Sequence, residues 1–461
     1  MADAMPLSPA AVVDSGLCIG CGGCAVTPAR TMAWDSYGLR KPSGDLGEAT
    51  TVFARTCPFS PAARDEDAIA AERFPAAPAV DARIGRFEAA YVGHVAVAEF
   101  RANGSSGGLV SWVAAELLRT GAIDGVAHVM PTDGADGVFF RYGISRSAED
   151  IARGARSRYF PVDLAEVLRE IRETPGRYAI VGVPCFVKAV NLLRAEDSVI
   201  AERVTHLLGL FCGHMKSATF VDSFAWQLGA PPKQVRAVEY RRKDAGRPAN
   251  WYTAQLTLAD GEVRARDWWN LADGDWGAGF FQASACNWCD DVVAETADVA
   301  FGDAWVEPYA SDGRGTNVAI VRSPALRDLL AAAVADGRLA LDGVDADFIA
   351  NTQAAGLRQR REGLAYRLTW ARRGLTPRKR VAPSANGLRW RRKLIYRARF
   401  AISAGSHRLA RMARRCGAPK FYVAWARAAL SVYQGLAYSR GWTGRLFDRL
   451  EGKRADGHDG G

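Results

Sequence analysis

From about residue 89 onward, short apolar runs alternate with longer amphipathic stretches. Residues 91–98, 123–130, 138–143, 178–183, 207–211, 297–305 and 316–322 read as strands, because continuous apolar runs of this length suit strands buried on both faces. Residues 109–120, 148–155, 164–174, 186–194 and 324–336 carry a helical period between them. Residues 235–267 read as β-hairpins with Arg241, Arg242 and Lys243 near one end. The alternation of strand and helix predicts an α/β core around a mixed sheet. Upstream, residues 31–39 read as a short hairpin turning at Asp35-Ser36-Tyr37-Gly38, and the Pro/Ala-rich stretch 74–80 reads as a linker. Downstream, 389–399 mixes cations with aromatics, while 421–438 is largely apolar with Arg427 inside it. The expected organisation is a ferredoxin-like N-terminal module (1–80), two parts of an α/β core (81–230 and 231–365) and a helical basic tail (366–461), an α+β or α/β class overall.

Charge separates the tail from the rest. From Tyr366 onward there are 23 Lys/Arg against 4 Asp/Glu, whereas the first 365 residues hold 37 against 46. A mildly acidic body with a strongly basic end suggests that the end attaches to something. Docking on an anionic membrane surface or on an acidic redox partner, such as a ferredoxin-like protein, is the first expectation. Solvated helical packing and nucleic-acid binding are the alternatives. No apolar run reaches 20 residues and no basic-then-apolar leader opens the sequence. A cytoplasmic protein is expected, peripherally membrane-associated if the tail docks.

The nine cysteines carry the chemistry. In a reducing compartment they point to metal or catalytic sites rather than disulfides. Cys18-Ile19-Gly20-Cys21-Gly22-Gly23-Cys24 is the spacing that curls a loop around an iron–sulfur cluster. Pro28-Ala29 stands where a fourth Cys-Pro would follow, so the fourth ligand is expected at Cys57, before Pro58. Cys18, Cys21, Cys24 and Cys57 read as one 4Fe–4S site, with structural zinc as the alternative. Cys185 and Cys212 follow two of the expected strands, and Cys286 and Cys289 form a CxxC pair. These four can close around a second cubane, or be four unrelated buried thiols. Cys416 is left over and is taken as structural.

Between the first core strand and the helix at 109 lies Asn103-Gly104-Ser105-Ser106-Gly107-Gly108. A strand, a Gly/Ser loop and a helix N-terminus suit an anion, such as the phosphate of a nucleotide or flavin. A tight turn with a plain N-cap is the alternative. Neither a P-loop nor a GxGxxG fingerprint is completed.

Several short motifs recur in one order: Ser106-Gly107-Gly108, Ile123-Asp124-Gly125, Ser157-Arg158-Tyr159, Gly182-Val183-Pro184-Cys185, Gly209-Leu210-Phe211-Cys212, Cys286-Asn287-Trp288-Cys289-Asp290, and the run from Ala297 to Asp303. On these the chain resembles, over roughly 18–361, the family of beta subunits of coenzyme F420 hydrogenases and dehydrogenases. The resemblance implies an iron–sulfur flavoprotein oxidoreductase that relays electrons through two 4Fe–4S clusters and FAD to or from a small-molecule substrate. It also implies a 4Fe–4S cluster at Cys185, Cys212, Cys286 and Cys289. The loop from Asn103 through Ser105, Ser106, Gly107 and Gly108 would then lie near the flavin, together with Ser157, Arg158 and Tyr159. Where members of the family have Gln after the Pro-Cys, this sequence has Phe186, so a deazaflavin acceptor is not implied.

Three further residues have two readings each. His214 is either a proton donor near the flavin or a structural hydrogen-bonder. Asp303 is either catalytic or holds a loop near the cluster. Lys188 either faces a cofactor phosphate or is a solvated helix residue. Two other functions remain open from sequence: a non-catalytic electron-transfer component of a larger redox complex, and a zinc-stapled nucleic-acid-binding protein.

Overall fold

The computed structural model describes residues 5–27, 29–97 and 99–451. Pro28 and Ala98, the last residue of the expected strand 91–98, lie outside the described residues, as does the end of the basic tail.

An N-terminal hairpin pairs β1 (Arg30–Trp34) with β2 (Arg40–Gly44) in antiparallel register. Its turn is the expected one. Asp35 Oδ1 accepts the N–H groups of Tyr37 and Leu39, and Gly38 takes the left-handed conformation (φ 73°). A second small hairpin, β3 (Ala79–Asp81) with β4 (Gly85–Phe87), occupies part of the expected linker. Phe74 is buried and the Arg73 guanidinium lies 5.3 Å from its ring centroid, so this stretch packs rather than tethers.

The body is built on β5 (Ala89–Val95), β6 (Gly125–Pro131), β7 (Phe140–Ser145), β8 (Tyr178–Gly182) and β9 (Val204–Leu210). Next comes an antiparallel three-stranded sheet of β10 (Val235–Arg242), β11 (Thr253–Leu258) and β12 (Val263–Asp267). The chain then returns to the main sheet through β13 (Val299–Asp303), β14 (Asn317–Val321) and β15 (Leu339–Gly343). The eight-stranded sheet has the order β15-β5-β14-β13-β9-β8-β6-β7. Its centre, from β13 through β9 and β8 to β6, is parallel, and both flanks are antiparallel. The expected mixed sheet is thus present.

Helices cover both faces. The helices Leu109–Arg119 and Pro324–Ala335 bury Leu109, Trp112, Leu326 and Leu330 against Val126, Ala179, Leu208 and Val299. The opposite face receives Ala165–Glu173 and Pro184–Arg194. There the N-terminal residues Val12, Leu17, Phe53 and Phe59 join the same core as Val187, Val190 and Leu207. Burial of this kind is the main stabilising term, about 1.5–3 kcal/mol for each such side chain.

The basic tail forms helices Trp390–Arg415, Pro419–Tyr438 and Gly441–Leu450. It is not a free appendage. Ile395, Ile402, Tyr422, Tyr433 and Leu436 are buried with Phe220, Tyr240, Leu256 and Phe281 in one core. The apolar period of the first two packs them on helix Thr219–Gln227 and the 3₁₀ turn Trp276–Ala278, in the core that β10 and β11 also line, and Arg391 and Arg399 are buried with them. Cys416 departs from expectation. It caps the helix Trp390–Arg415 and is exposed, so it does not contribute to the core.

Candidate functional site

The first four cysteines converge. Cys18 and Cys21 lie in the loop after helix Pro9–Asp14, Cys24 in a single 3₁₀ turn (Gly23–Ala25), and Cys57 at the C-cap of helix Thr51–Thr56. All four line one cavity, with about 460 Å³ of unfilled space, whose other walls include Pro9, Val12, Leu17, Met32, Pro42 and Phe53. Glycine is required at two positions of the loop. Gly20 and Gly22 have φ of 77° and 83°, and a Cβ on them would lie 2.3 Å from Arg40 O and 2.8 Å from Ala165 N. Burial pushes the Cys24 and Cys57 thiols up to about 12 and raises Cys21 as well, with neighbouring thiols adding to the effect. A metal bound there would have to displace these protons, because the thiolate is the ligating form.

The second four are brought together by strand register. Gly182 of β8 pairs with Gly209 of β9, and Ala300 of β13 pairs with the same Gly209. The C-terminal ends of these parallel strands are therefore level, where open α/β sheets place their sites. Pro184 opens the helix after β8, with Cys185 in its first turn, and Cys212 lies just beyond β9. Cys286 lies in the 3₁₀ segment Ser284–Trp288 and Cys289 caps it. The four line a cavity with about 240 Å³ of unfilled space, shared with Pro184, Met215, Asp291 and Arg360. Ile19 and Phe59 line both cavities, and Cys21 is near enough to Cys185 to raise its thiol pKa.

Arg360 was not singled out by sequence. It is buried, 3% exposed. Its guanidinium donates to the carbonyls of Cys286 (2.8 Å), Cys289 and Cys212 (both 3.4 Å), and Gly213 (2.5 Å). Met215 N–H donates to Cys286 Sγ at 3.3 Å. Burial raises the pKa of Cys212, Cys286 and Cys289, and Arg360 is the strongest charge pulling the other way. A single Arg among Arg358, Arg360 and Arg361 carries no spacing signal, so only the folded chain reveals it.

The Gly/Ser loop and the 157–159 stretch do meet. Ser105 Oγ accepts the Ser157 N–H at 2.6 Å, and Arg156 Nε reaches Asn103 O at 3.4 Å. Much of the loop is spoken for by the fold. Ser106 Oγ donates to Thr316 O, and Asn317 Oδ1 already accepts the first helical N–H, that of Leu109. A Cβ on Gly107 would lie 2.7 Å from Gly93 O, and one on Gly108 2.5 Å from Phe100 O. These glycines are therefore needed for packing, whatever else the loop does. The cations nearby are Arg101, Arg156 and Arg241, ion-paired with Asp312 (3.0 Å), Glu239 and Asp303 (2.9 Å) respectively. Lys243 is different. It donates to the carbonyls of Arg101 and Ser106, and burial, aided by Arg101 and Arg241, lowers it to about 8. Arg158 lies with its guanidinium 4.8 Å from the Phe140 ring centroid.

Aromatic rings connect this region to the second cavity. Tyr159 is 4.7 Å from Trp276, and Trp276 stacks on His214 at 4.2 Å. His214 is buried, and its Nδ1 lies 3.3 Å from Arg399 Nη2 of the tail. Its Nε2 has no hydrogen-bond partner among the described residues. Burial, with Lys216 and Arg399 nearby, keeps it well below the usual histidine range, hence neutral. Asp303 holds Arg241, whose guanidinium lies 4.2 Å from the Tyr252 ring centroid, rather than a loop at the cysteines. Phe186 is a core residue beside Tyr142.

Lys188 is neither a solvated helix residue nor a member of the loop's cationic surroundings. Its Nζ is buried 3.1 Å from Glu66 Oε1. It belongs to a buried charge cluster in which Lys379 meets Asp290 at 3.2 Å and Arg380 meets Glu295 and Asp67, both at 2.7 Å. Residues 379–380 of the basic segment thereby strap the helix Glu66–Arg73 to the loop that follows Cys289.

The sheet, the level strand ends and the convergent cysteines define a class, and comparison with known families identifies it. The sequence matches two profiles of the coenzyme F420 hydrogenase/dehydrogenase beta subunit, that of its N-terminal part over residues 90–169 and that of its C-terminal part over residues 176–347. The chain belongs to this family. Among curated proteins it is similar to the F subunit of F(420)H(2) dehydrogenase from Methanosarcina mazei, with 24% identity over 220 residues. That alignment covers 45% of this chain and 56% of the relative, so the chain spans little more than half of that protein's length. A solved chain of the F420-reducing NiFe-hydrogenase complex from Methanosarcina barkeri shares 16% identity, with a TM-score of 0.49, covering 64% of this chain and 96% of its own. Residues 18–57 and the tail lie outside both profile matches.

Proposed function

We propose that the chain is an iron–sulfur flavoprotein that relays electrons through two 4Fe–4S clusters and an FAD to or from a small-molecule substrate, with a redox protein as partner. One observation carries the reading: two four-thiol cavities share a wall of Ile19 and Phe59. Adjacent cavities of this kind suit two clusters in series. Among the described residues, no three Cys, His, Asp or Glu side chains close on a single metal ion. A mononuclear zinc holds its sulfurs at about 2.3 Å, so thiols spread around a void fit a larger inorganic core better.

Cys18, Cys21, Cys24 and Cys57 would hold one cluster, and Cys185, Cys212, Cys286 and Cys289 the other. Arg360 fixes the backbone of three ligands of the second set and brings positive charge to it. For the flavin, the donor set at the loop fits an anionic phosphate through Lys243, Ser105 and Ser157. Tyr159, Trp276 and His214 fill the space between that region and the second cavity. When bound, FAD supplies the exchange between single electrons and a hydride. The residues around it position it and exclude water, and His214, whose Nδ1 accepts from the Arg399 guanidinium, carries its hydrogen on Nε2 and offers a hydrogen-bond donor there.

Anaerobic purification followed by iron, sulfide and flavin analysis tests this directly. About eight irons and one FAD per chain are expected, while zinc without iron refutes the reading. A non-catalytic electron-transfer component is the second reading. It is favoured by Arg101, Arg156 and Arg241 beside the loop, which already have carboxylate partners. That reading predicts clusters without retained flavin.

A further inference from the structure

The last helix, Gly441–Leu450, seats itself with one ring and two small or polar residues: Phe447 is half-buried against the core that holds Tyr422 and Tyr433, and beside it lie Thr443 and Gly444. Thr443 and Gly444 are buried, and Thr443 Oγ1 donates to Ser431 O at 2.9 Å. A Cβ on Gly444 would lie 2.3 Å from the backbone of Ser439. Among the described residues, the two acids of this segment are drawn inward to one arginine. Arg391 Nη1 lies 2.5 Å from Asp448 Oδ1 and 3.0 Å from Glu451 Oε2.

Three large apolar residues face out. Trp442, Leu446 and Leu450 are 66%, 46% and 64% exposed. Their spacing of four residues places them in one stripe. Arg445 and Arg449 are exposed alongside it. Helices on a protein surface ordinarily turn the apolar stripe to the core. Here the fold is closed without it, since close packing through Thr443 and Gly444 already seats the helix.

We propose that this face docks on an anionic lipid bilayer, lying flat in the headgroup region. Among the described residues, the face offers hydrocarbon and hydrogen-bond donors, with no acidic or acceptor side chain. A headgroup layer matches it, with phosphate oxygens above hydrocarbon, whereas a protein epitope presents donors and acceptors mixed. Tryptophan suits the boundary between the two. Ten residues of helix span about 15 Å, too short to cross a bilayer. The docking element is therefore this helix, rather than the segments at 389–399 and 421–438 that the sequence singled out.

Vesicle flotation with the full-length protein tests the proposal, using phosphatidylcholine vesicles with and without phosphatidylglycerol. The protein should float with the anionic vesicles about tenfold more than with the neutral ones, and less as salt rises. W442S/L446S/L450S should lose this binding, and R445Q/R449Q should lose its salt dependence, while iron content and elution volume stay unchanged in both variants. The proposal is overturned if the wild-type protein stays off anionic vesicles, or if the triple variant floats equally well. It is also overturned if the wild type stays off vesicles and elutes as a dimer that the triple variant dissociates, which would make the face a contact between copies.

Discussion

The two thiol cavities share a wall yet are made in opposite ways. The first is built from nearby sequence and walled by apolar side chains, with glycine backbone wrapped around it. The second is gathered from two strand ends and a 3₁₀ turn and has two charged groups, Arg360 and Asp291, in its wall. Asp291 is occupied by the N–H groups of Val293 and Glu295, whereas Arg360 is spent on the carbonyls of Cys286, Cys289 and Cys212. Buried positive charge beside a cluster favours the reduced state, which carries the extra electron. The first site has a cation too, since Lys41 donates to the Cys18 carbonyl, but Arg360 reaches the carbonyls of three cysteines at the second, so the second site should accept an electron more readily than the first.

That order can be broken in steps of decreasing size. Cys21→Ala and Cys289→Ala should each remove about half of the iron and leave the other half bound; loss of all iron in either variant would merge the two sites into one. Phe59→Ala opens the common wall, and thermal or denaturant unfolding should show a loss of about 3–5 kcal/mol, with both clusters more easily bleached by oxygen. Arg360→Gln should lower the midpoint of the second cluster alone, by about tenfold in the reduced-to-oxidised ratio at fixed potential. For one electron that is about 59 mV, readable by an EPR-monitored titration. Arg360→Lys should fall between the two. The smallest expected effect concerns the flavin region. Lys243, lowered to about 8, is charged below that pH and neutral above it. Anion binding at the loop should weaken by a few-fold as pH rises through about 8, and Lys243→Met should flatten that slope. Retained FAD measured across pH 7–9 decides it.

The same contrast explains what the sequence could reveal. Cys18, Cys21 and Cys24 are legible because a short loop must place its ligands at fixed spacing. The strand–helix alternation is legible because burial imposes a period, and the mixed sheet follows from it. Cys185 and Cys212 converge with Cys286 and Cys289 only once β8, β9 and β13 are in register, so family resemblance found them where spacing left them open. Arg360 left no trace, and Lys243 and Arg399 stood out only as members of basic runs, since a buried cation and a solvated one are the same letter. Lys188 failed for that reason. The tail's net charge said nothing of the apolar period that seats Ile395, Ile402, Tyr422 and Tyr433 in the core.

That seating bears on how the chain can be divided. The profile matches stop at residue 347, and a truncation there would look like a natural minimal enzyme. It would instead strip the cover from Phe220, Tyr240 and Phe281, remove the guanidinium of Arg360 from the second cavity and that of Arg399 from beside His214, and release the strap at Lys379 and Arg380. The part shared with relatives is thus not a unit that can be cut free: in this protein the end beyond the family match has become masonry for the common core.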